Sequence, residues 1–162
     1  MSKISKFELI SKLNCIIRPT VDDANEYQQK IEMITEQVDD AMSEHPHIHL
    51  LIGGERNYSL MIDHHKSHAS FMENLFYVYD SAALVNSLVY MINIYEKHGF
   101  PYRFWKCQFK YWIEATQNEM SEDAFARIQN TYEFISLNIL SLIDLSKDLN
   151  HHRKPRTIFS AA

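Results

Sequence analysis

The sequence predicts an all-α protein, an antiparallel bundle of four to five helices. Apolar residues recur at helical spacing through most of the 162 residues. The chain has 3 glycines and 4 prolines, too few for the many tight turns of an all-β fold. The breaks between apolar stripes are short, which favours antiparallel neighbours. We expect one domain over residues 1–149 and a flexible basic tail over 150–162.

The first part of the chain predicts a short helix followed by a long one. Residues 3–17 carry apolar side chains at helical spacing and predict a docking helix that ends before Pro19. Thr20 followed three positions later by Asp23 is a capping-box pattern. It predicts the start of an amphipathic helix over 21–43.

Residues 45–54 have the least regular pattern of the chain. Pro46 disfavours helix at the residue before it, and Gly53 with Gly54 marks a break. In so helical a chain we expect an extended connection or a short helical turn here.

The remainder of the domain predicts four helices with recognisable boundaries. Gly99 suits a helix C-terminus, Pro101 opens the following helix, and Ser121 is placed to cap the last one. The predicted helices cover 55–79, 81–97, 102–119 and 121–149.

The composition excludes several classes of function. The net charge of -5, from 16 basic and 21 acidic side chains, argues against a nucleic-acid surface, which needs clustered Lys and Arg. No apolar run approaches the roughly 18 residues that cross a bilayer. Two cysteines, Cys15 and Cys107, do not form a disulfide framework. We therefore expect a cytoplasmic protein that binds neither nucleic acid nor membrane.

Three of the nine histidines lie close together in the helix predicted over 55–79. Two of them, His65 and His68, share the apolar stripe of that helix. A titratable ring at a core position needs a hydrogen-bonding neighbour, a metal or a ligand. We therefore predict a ligand pocket walled by histidine and aromatic side chains, with an unknown cofactor. Its predicted lining residues are His64, His65, His68, Met72, Trp105 and Trp112.

Other roles for these histidines stay open at this point. His64 and His68 lie four residues apart, the spacing of paired metal ligands on a helix. Alternatively, His65 or His68 could be the axial ligand of a haem in an apolar pocket. All three could equally be hydrogen-bonded structural residues. If they are buried and neutral, we expect the fold to weaken below about pH 6.

Motifs of enzymatic chemistry are missing from the sequence. There is no G-x-S-x-G elbow, no P-loop and no G-x-G-x-x-G. We therefore expect a non-enzymatic function.

The segment 62–117 resembles the helical module that precedes the corrinoid-binding domain in bacterial cobalamin-dependent and sensory signalling regulators. The sequence lacks the D-x-H-x-x-G motif and the βαβ pattern that would hold a corrinoid. The resemblance therefore implies a helical architecture, a regulatory role and a protein signalling partner, but no cobalamin site. The residues that carry it are Asp63, His64, His65, His68, Phe71, Met72, Asp80, Tyr90, His98, Gly99, Phe100, Pro101 and Trp112.

Apolar stripes at the two ends of the domain predict a second kind of function. The long stripe of the final helix, from Phe125 to Leu149, and the leading helix 3–17 could form an interaction surface. The alternative to a sensory module is thus a protein–protein interaction bundle that dimerises through its long C-terminal helix.

Overall fold

The computed structural model describes residues 3–151, and every regular element in that range is a helix. The predicted all-α class is confirmed. Residues 152–162, which hold most of the predicted basic tail, lie outside the described residues. A 3-10 turn, Glu55–Asn57, precedes the fourth α-helix. The α-helices within the described range are α1 Lys6–Leu13, α2 Val21–Ser43, α3 Ile48–Leu51, α4 Tyr58–Tyr77, α5 Ser81–Lys97, α6 Tyr102–Glu119, α7 Glu122–Leu137 and α8 Ile139–His151.

The N-terminus of α2 forms the capping box that the sequence predicts. The Thr20 hydroxyl accepts a hydrogen bond from the Asp23 amide at 3.2 Å, and the Asp23 carboxylate accepts one from the Thr20 amide at 2.8 Å. Ser121 is the N-cap residue of α7, as predicted, but its hydroxyl donates to Glu26 Oε2 at 2.8 Å and makes no cap bond to the helix.

The first helix is shorter than predicted. It begins after the Ser5 cap and ends at Leu13, so that it covers part of the predicted range 3–17. Leu9 and Leu13 are its buried residues, and α1 packs against α5. Phe7 of the predicted stripe is 78% exposed, because burying one narrow face of so short a helix leaves the flanking positions in solvent.

The predicted long C-terminal helix is broken into α7 and α8 at Asn138. The side chain of Asn138 donates from Nδ2 to the Phe134 carbonyl at 2.8 Å. Such a local bond competes with the helical backbone pattern, and the backbone of Asn138 leaves the helical range (φ -107°, ψ 12°). The homodimer predicted through one continuous helix would therefore have to form across a bend.

The helices pack in two groups. Helix α2 packs against α4, α6 and α7, whereas α5 packs against α8 and α1. Helix α4 belongs to the first group, and its buried face reaches the side chains of α6, where His64 bonds Gln108. No helix within residues 3–151 combines the length and the hydropathy needed to span a bilayer.

Two glycines let the loops before α4 and before α6 touch. A Cβ atom at Gly53 would lie 2.1 Å from the carbonyl oxygen of Gly99, and both residues have positive φ (73° and 92°). Asn57 reinforces the contact, because its Nδ2 donates to the carbonyls of Ile52 at 2.7 Å and His98 at 2.8 Å. The starts of α4 and α6 are thereby fixed relative to each other.

Candidate functional site

The three neighbouring histidines all point into the protein. His64, His65 and His68 are 1%, 0% and 3% exposed. The prediction that His65 and His68 face the interior is confirmed, and it extends to His64, which lies one turn before His68 on the same face. We call the set of His64, His65, His68, Gln108 and Trp112 the polar core cluster. Its two non-histidine members come from α6.

His65 is held by a carboxylate of the neighbouring helix. Its Nδ1 lies 2.6 Å from Oδ1 of Asp39 on α2. A carboxylate oxygen accepts, so Nδ1 donates, and Nε2 of the same ring is left without a partner among the described residues. Asp39 is part of the site that the sequence prediction missed. Helical periodicity gives no signal for it, because Asp39 lies one position after Val38 and so off the apolar stripe of α2.

His64 is held by an amide. Its Nε2 lies 3.0 Å from Oε1 of Gln108. With Oε1 as the acceptor, Nε2 donates and Nδ1 of His64 carries the lone pair. Gln108 was also missed, although it stands three residues after Trp105 and four before Trp112, on the apolar stripe of α6. A polar residue at such a position is the same signal that identified the histidines.

Five buried side-chain atoms of the polar core cluster have no hydrogen-bond partner among the described residues. A buried polar atom without a partner costs about 1–3 kcal/mol. Five of them would cost roughly 5–15 kcal/mol, as much as the net stability of a whole domain. The described side chains therefore leave a costly set of buried polar atoms unsatisfied at one place in the interior. The five atoms are His64 Nδ1, His65 Nε2, His68 Nε2, Gln108 Nε2 and Trp112 Nε1.

These atoms offer both kinds of hydrogen bond. Gln108 Nε2 and Trp112 Nε1 are donors, whereas His64 Nδ1 is an acceptor in the neutral tautomer set by the bond to Gln108.

Aromatic rings wall the cluster. The His64 ring lies 5.4 Å from Trp105 and 4.8 Å from Tyr95, measured between ring centroids. The His68 ring lies 4.8 Å from Trp112 and 5.6 Å from Phe109. The two tryptophans named by the sequence therefore do lie against the histidines. Met72, also predicted to line the site, is buried one turn after His68 on α4.

Burial keeps two of the histidines neutral. It lowers the pKa of His64 well below its usual value, helped by the neighbouring His68 and His65 and opposed by the bond to Gln108. Burial, followed by the proximity of His65, lowers the pKa of His68 to about 3. Both rings are uncharged at pH 7.

A small cavity adjoins the cluster at His68. Its volume is about 140 Å³, and it lies between α4 and α5. A separate surface groove of about 450 Å³ lies between α2 and α4 and has Asp39 in its wall. The 140 Å³ cavity is smaller than the roughly 300–1,000 Å³ of sites for drug-sized ligands, so a haem does not fit in this cavity. The cavity is lined by Ser67, His68, Phe71, Ser87, Leu88 and Met91.

Metal ligation was predicted for His64 and His68. Their ring centroids lie 6.1 Å apart. Across the described part of the chain, no group of three or more His, Cys, Asp or Glu side chains is arranged to hold a metal ion. Metal binding at this pair stays a prediction.

Comparison of the chain with protein-family models, curated proteins and solved structures gave no match. The resemblance of residues 62–117 to cobalamin-dependent and sensory regulators therefore stays a prediction as well.

Proposed function

We propose that the chain is a non-enzymatic sensory or regulatory module whose ligand site is the polar core cluster. Its scaffold is an antiparallel bundle of four to five long helices. The observation that carries the proposal is the set of five buried atoms left without partners among the described residues. They gather at one place in the interior, next to a cavity and within walls of aromatic side chains.

Binding explains the cluster better than catalysis does. A general acid or base works best with a pKa near the operating pH. His68, with a pKa of about 3, does not gain a proton at neutral pH, and the pKa of His64 is lowered as well. Neutral imidazoles in a dry, aromatic surrounding are suited to hold a ligand through hydrogen bonds.

The bond between His65 and Asp39 provides a route from the interior to the surface. Asp39 is 23% exposed at its side chain and lies in the wall of the groove between α2 and α4. A ligand that bonds Nε2 of His65 changes the basicity of the ring and thus the strength of its bond to Asp39. A signalling partner that contacts this groove would sense the change.

The proposal is tested on freshly purified protein without a histidine tag. Its absorption spectrum reveals a haem or a corrinoid, elemental analysis a metal, and native mass spectrometry any other retained ligand. The protein is then titrated with haem, cobalamin and divalent metals while the indole NH of Trp112 and the imidazole nitrogens are followed by NMR. We expect a retained compound, or a probe that shifts these signals and raises the melting temperature.

Two variants make the test specific. His65→Gln, inside the cluster, should abolish the response, whereas His49→Gln, at an exposed position, should leave it unchanged. The proposal fails if the protein retains nothing, no probe changes its melting temperature, and NMR shows only water at the cluster.

A second candidate function is supported by exposed apolar side chains at the bend between α7 and α8. Ile17, Leu137 and Leu140 are 69%, 84% and 64% exposed. Ile17 and Leu137 line a surface groove of about 380 Å³ at this bend. Apolar side chains gathered at one place favour association with another protein or a second copy.

Sedimentation tests this interaction bundle. We expect dimers of the wild type to dissociate in Leu137→Ser, while Leu50→Ser, at a position 75% exposed in a different groove, remains dimeric. A wild type that stays strictly monomeric at high concentration would exclude the homodimer.

A further inference from the structure

The first half of α6 presents positive charge to the solvent. Arg103, Lys106 and Lys110 are exposed and lie three and then four residues apart, on one face of the helix. They span about 10 Å, or two helical turns. All three line a surface groove of about 530 Å³. No acidic residue precedes Glu114 in α6, so this end of the groove is basic.

The protein itself neutralises little of this charge. Neither Arg103 nor Lys106 forms an ion pair among the described residues. Lys110 lies 3.6 Å from Glu114, but both side chains are more than half exposed, so that solvent screens the pair. Carboxylates of a partner can therefore approach Arg103 and Lys106 without breaking an existing ion pair.

The floor of the groove is apolar. Cys107 and Ile113 are half-buried there, and α7 contributes Ser136. Most of the exposed surface of the groove is apolar, in spite of the cations at its rim. A small inorganic anion would meet the cations and leave this surface in water. The groove is thus matched to a partner that has an acidic side and an apolar side.

The groove favours a helical partner over the other common forms of bound peptide. A peptide that adds a β-strand needs a free sheet edge, and every regular element within residues 3–151 is a helix. A proline-rich peptide docks against aromatic side chains, and none of the described residues that line this groove is aromatic. An amphipathic helix instead inserts apolar residues at i, i+3, i+4 and i+7 into an apolar groove.

Charge also argues against other occupants. The segment 152–162 contains Arg153, Lys154 and Arg156 and no acidic residue, so like charge disfavours it at this groove. An anionic membrane or a nucleic acid is an extended surface, and it would also meet the rest of a chain whose net charge is -5. A single acidic helix meets only the basic groove.

We infer that the groove along the first half of α6 binds an acidic amphipathic helix of a partner protein. The apolar side of that helix covers Cys107 and Ile113, and its carboxylates pair with Arg103 and Lys106. Because Glu114 repels them at the far end, the acidic residues of the partner gather over the start of α6. This inference goes beyond the proposed function and does not require a ligand at the polar core cluster.

The test uses the full chain and three synthetic peptides of equal length. The first is an amphipathic helix with leucine at i, i+3, i+4 and i+7 and with glutamate beside that stripe in one half. The second has lysine in place of glutamate, and the third has the composition of the first in an order without a stripe. Fluorescence anisotropy measures their binding. We expect saturable one-to-one binding of the first peptide alone, weakened by added salt.

Charge-reversal variants make the test specific to the groove. Lys106→Glu should weaken the binding of the acidic peptide about tenfold, because it turns attraction at the rim into repulsion. Lys66→Glu changes the net charge equally at an exposed lysine of the groove between α2 and α4, and it should bind as the wild type does. Ile113→Gln, on the apolar floor, should weaken binding at low and at high salt. Circular dichroism checks that each variant is folded.

Three results would overturn the inference: no saturable binding of the acidic peptide, equal binding of the reordered peptide, or an unchanged affinity in Lys106→Glu. Two further measurements identify a different occupant. If vesicles containing phosphatidylserine bind and the acidic peptide does not, the groove contacts membranes and the inference is wrong. It is also wrong if sedimentation shows self-association of the wild type that Lys106→Glu abolishes, because the occupant is then a second copy.

Discussion

Two buried polar regions lie side by side in this protein, and they are satisfied in different ways. The hydroxyls of Tyr27 and Tyr132 are fully buried and bond each other at 2.7 Å. The His68 ring centroid lies 5.9 Å from that of Tyr132, yet His68 Nε2 finds no partner among the described residues. The fold therefore can pair buried polar groups at this depth. At the polar core cluster it leaves such atoms without partners among the described residues.

Burial keeps the ionisable side chains of both regions uncharged, although it shifts their pKa values in opposite directions. It raises the pKa of Tyr27 and of Tyr132, and it lowers the pKa of His64 and of His68. In each case the low-dielectric interior disfavours the charged form, which is the phenolate for tyrosine and the imidazolium for histidine. The two regions therefore respond to opposite extremes of pH.

Acidification should produce the largest effect. The unfolded chain binds protons at His64 and His68 near pH 6.5, whereas the folded chain binds one at His68 only near pH 3. Stability is thus complete above about pH 6.5 and falls as the pH drops, by up to about 1.4 kcal/mol per pH unit for each histidine. Urea denaturation at intervals between pH 8 and pH 4.5 measures the slope.

The variant His68→Phe tests whether the loss of stability at low pH comes from the polar core cluster. In His68→Phe the slope between pH 6.5 and pH 4.5 should decrease by about 1.4 kcal/mol per pH unit. Equal stability of the wild type at pH 8 and pH 5 would contradict the comparison, because it would mean that these rings are charged or hydrated in the folded protein.

Breaking the tyrosine pair should have the next largest effect. Tyr27→Phe leaves the buried hydroxyl of Tyr132 without its partner and should lower the free energy of unfolding by about 1–3 kcal/mol. The double variant, with phenylalanine at both positions, removes both polar groups and should lie within about 1 kcal/mol of the wild type. Chemical denaturation of Tyr27→Phe, Tyr132→Phe and the double variant, compared with the wild type, forms a double-mutant cycle. Additive losses in the double variant would show that the hydroxyls do not act as a pair.

The same kind of change in the cluster should have the opposite sign. In ligand-free protein at pH 8, His68→Phe removes a buried nitrogen that has no partner among the described residues. The adjacent cavity gives the new side chain space to adjust. We expect a gain of about 1 kcal/mol in the free energy of unfolding, the lower end of the cost of such an atom. A loss of similar size would make His68 a structural residue like the tyrosines.

The helices themselves were largely predictable, and their exceptions have local causes. The capping box of Thr20 and Asp23 is a short-range pattern that uses neighbouring residues, so the sequence displays it directly. The break at Asn138 is different, because the apolar stripe continues across it and no proline or glycine marks it. It depends on which hydrogen bond one side chain forms, and helical periodicity does not report that choice.

The site was predictable in part for a similar reason. Histidine on an apolar stripe identified His65 and His68 from α4 alone. Asp39, the partner of His65, and Gln108, the partner of His64, come from helices 26 and 44 residues away along the chain. Which partner faces which ring depends on the packing of α2 and α6 against α4, and that packing is a tertiary property. The cavity between α4 and α5 also depends on tertiary packing, so a sequence pattern does not predict it.

The contact between the loops at Gly53 and Gly99 limits which substitutions this protein can accept during evolution. An alanine at position 53 would place its methyl carbon where the oxygen of Gly99 already stands, so even the smallest substitution must separate the two loops. In a saturation-mutagenesis library selected for folded protein, position 53 should be among the least permissive. Neighbouring Gly54, whose added carbon would meet open space, would be restricted by backbone conformation alone.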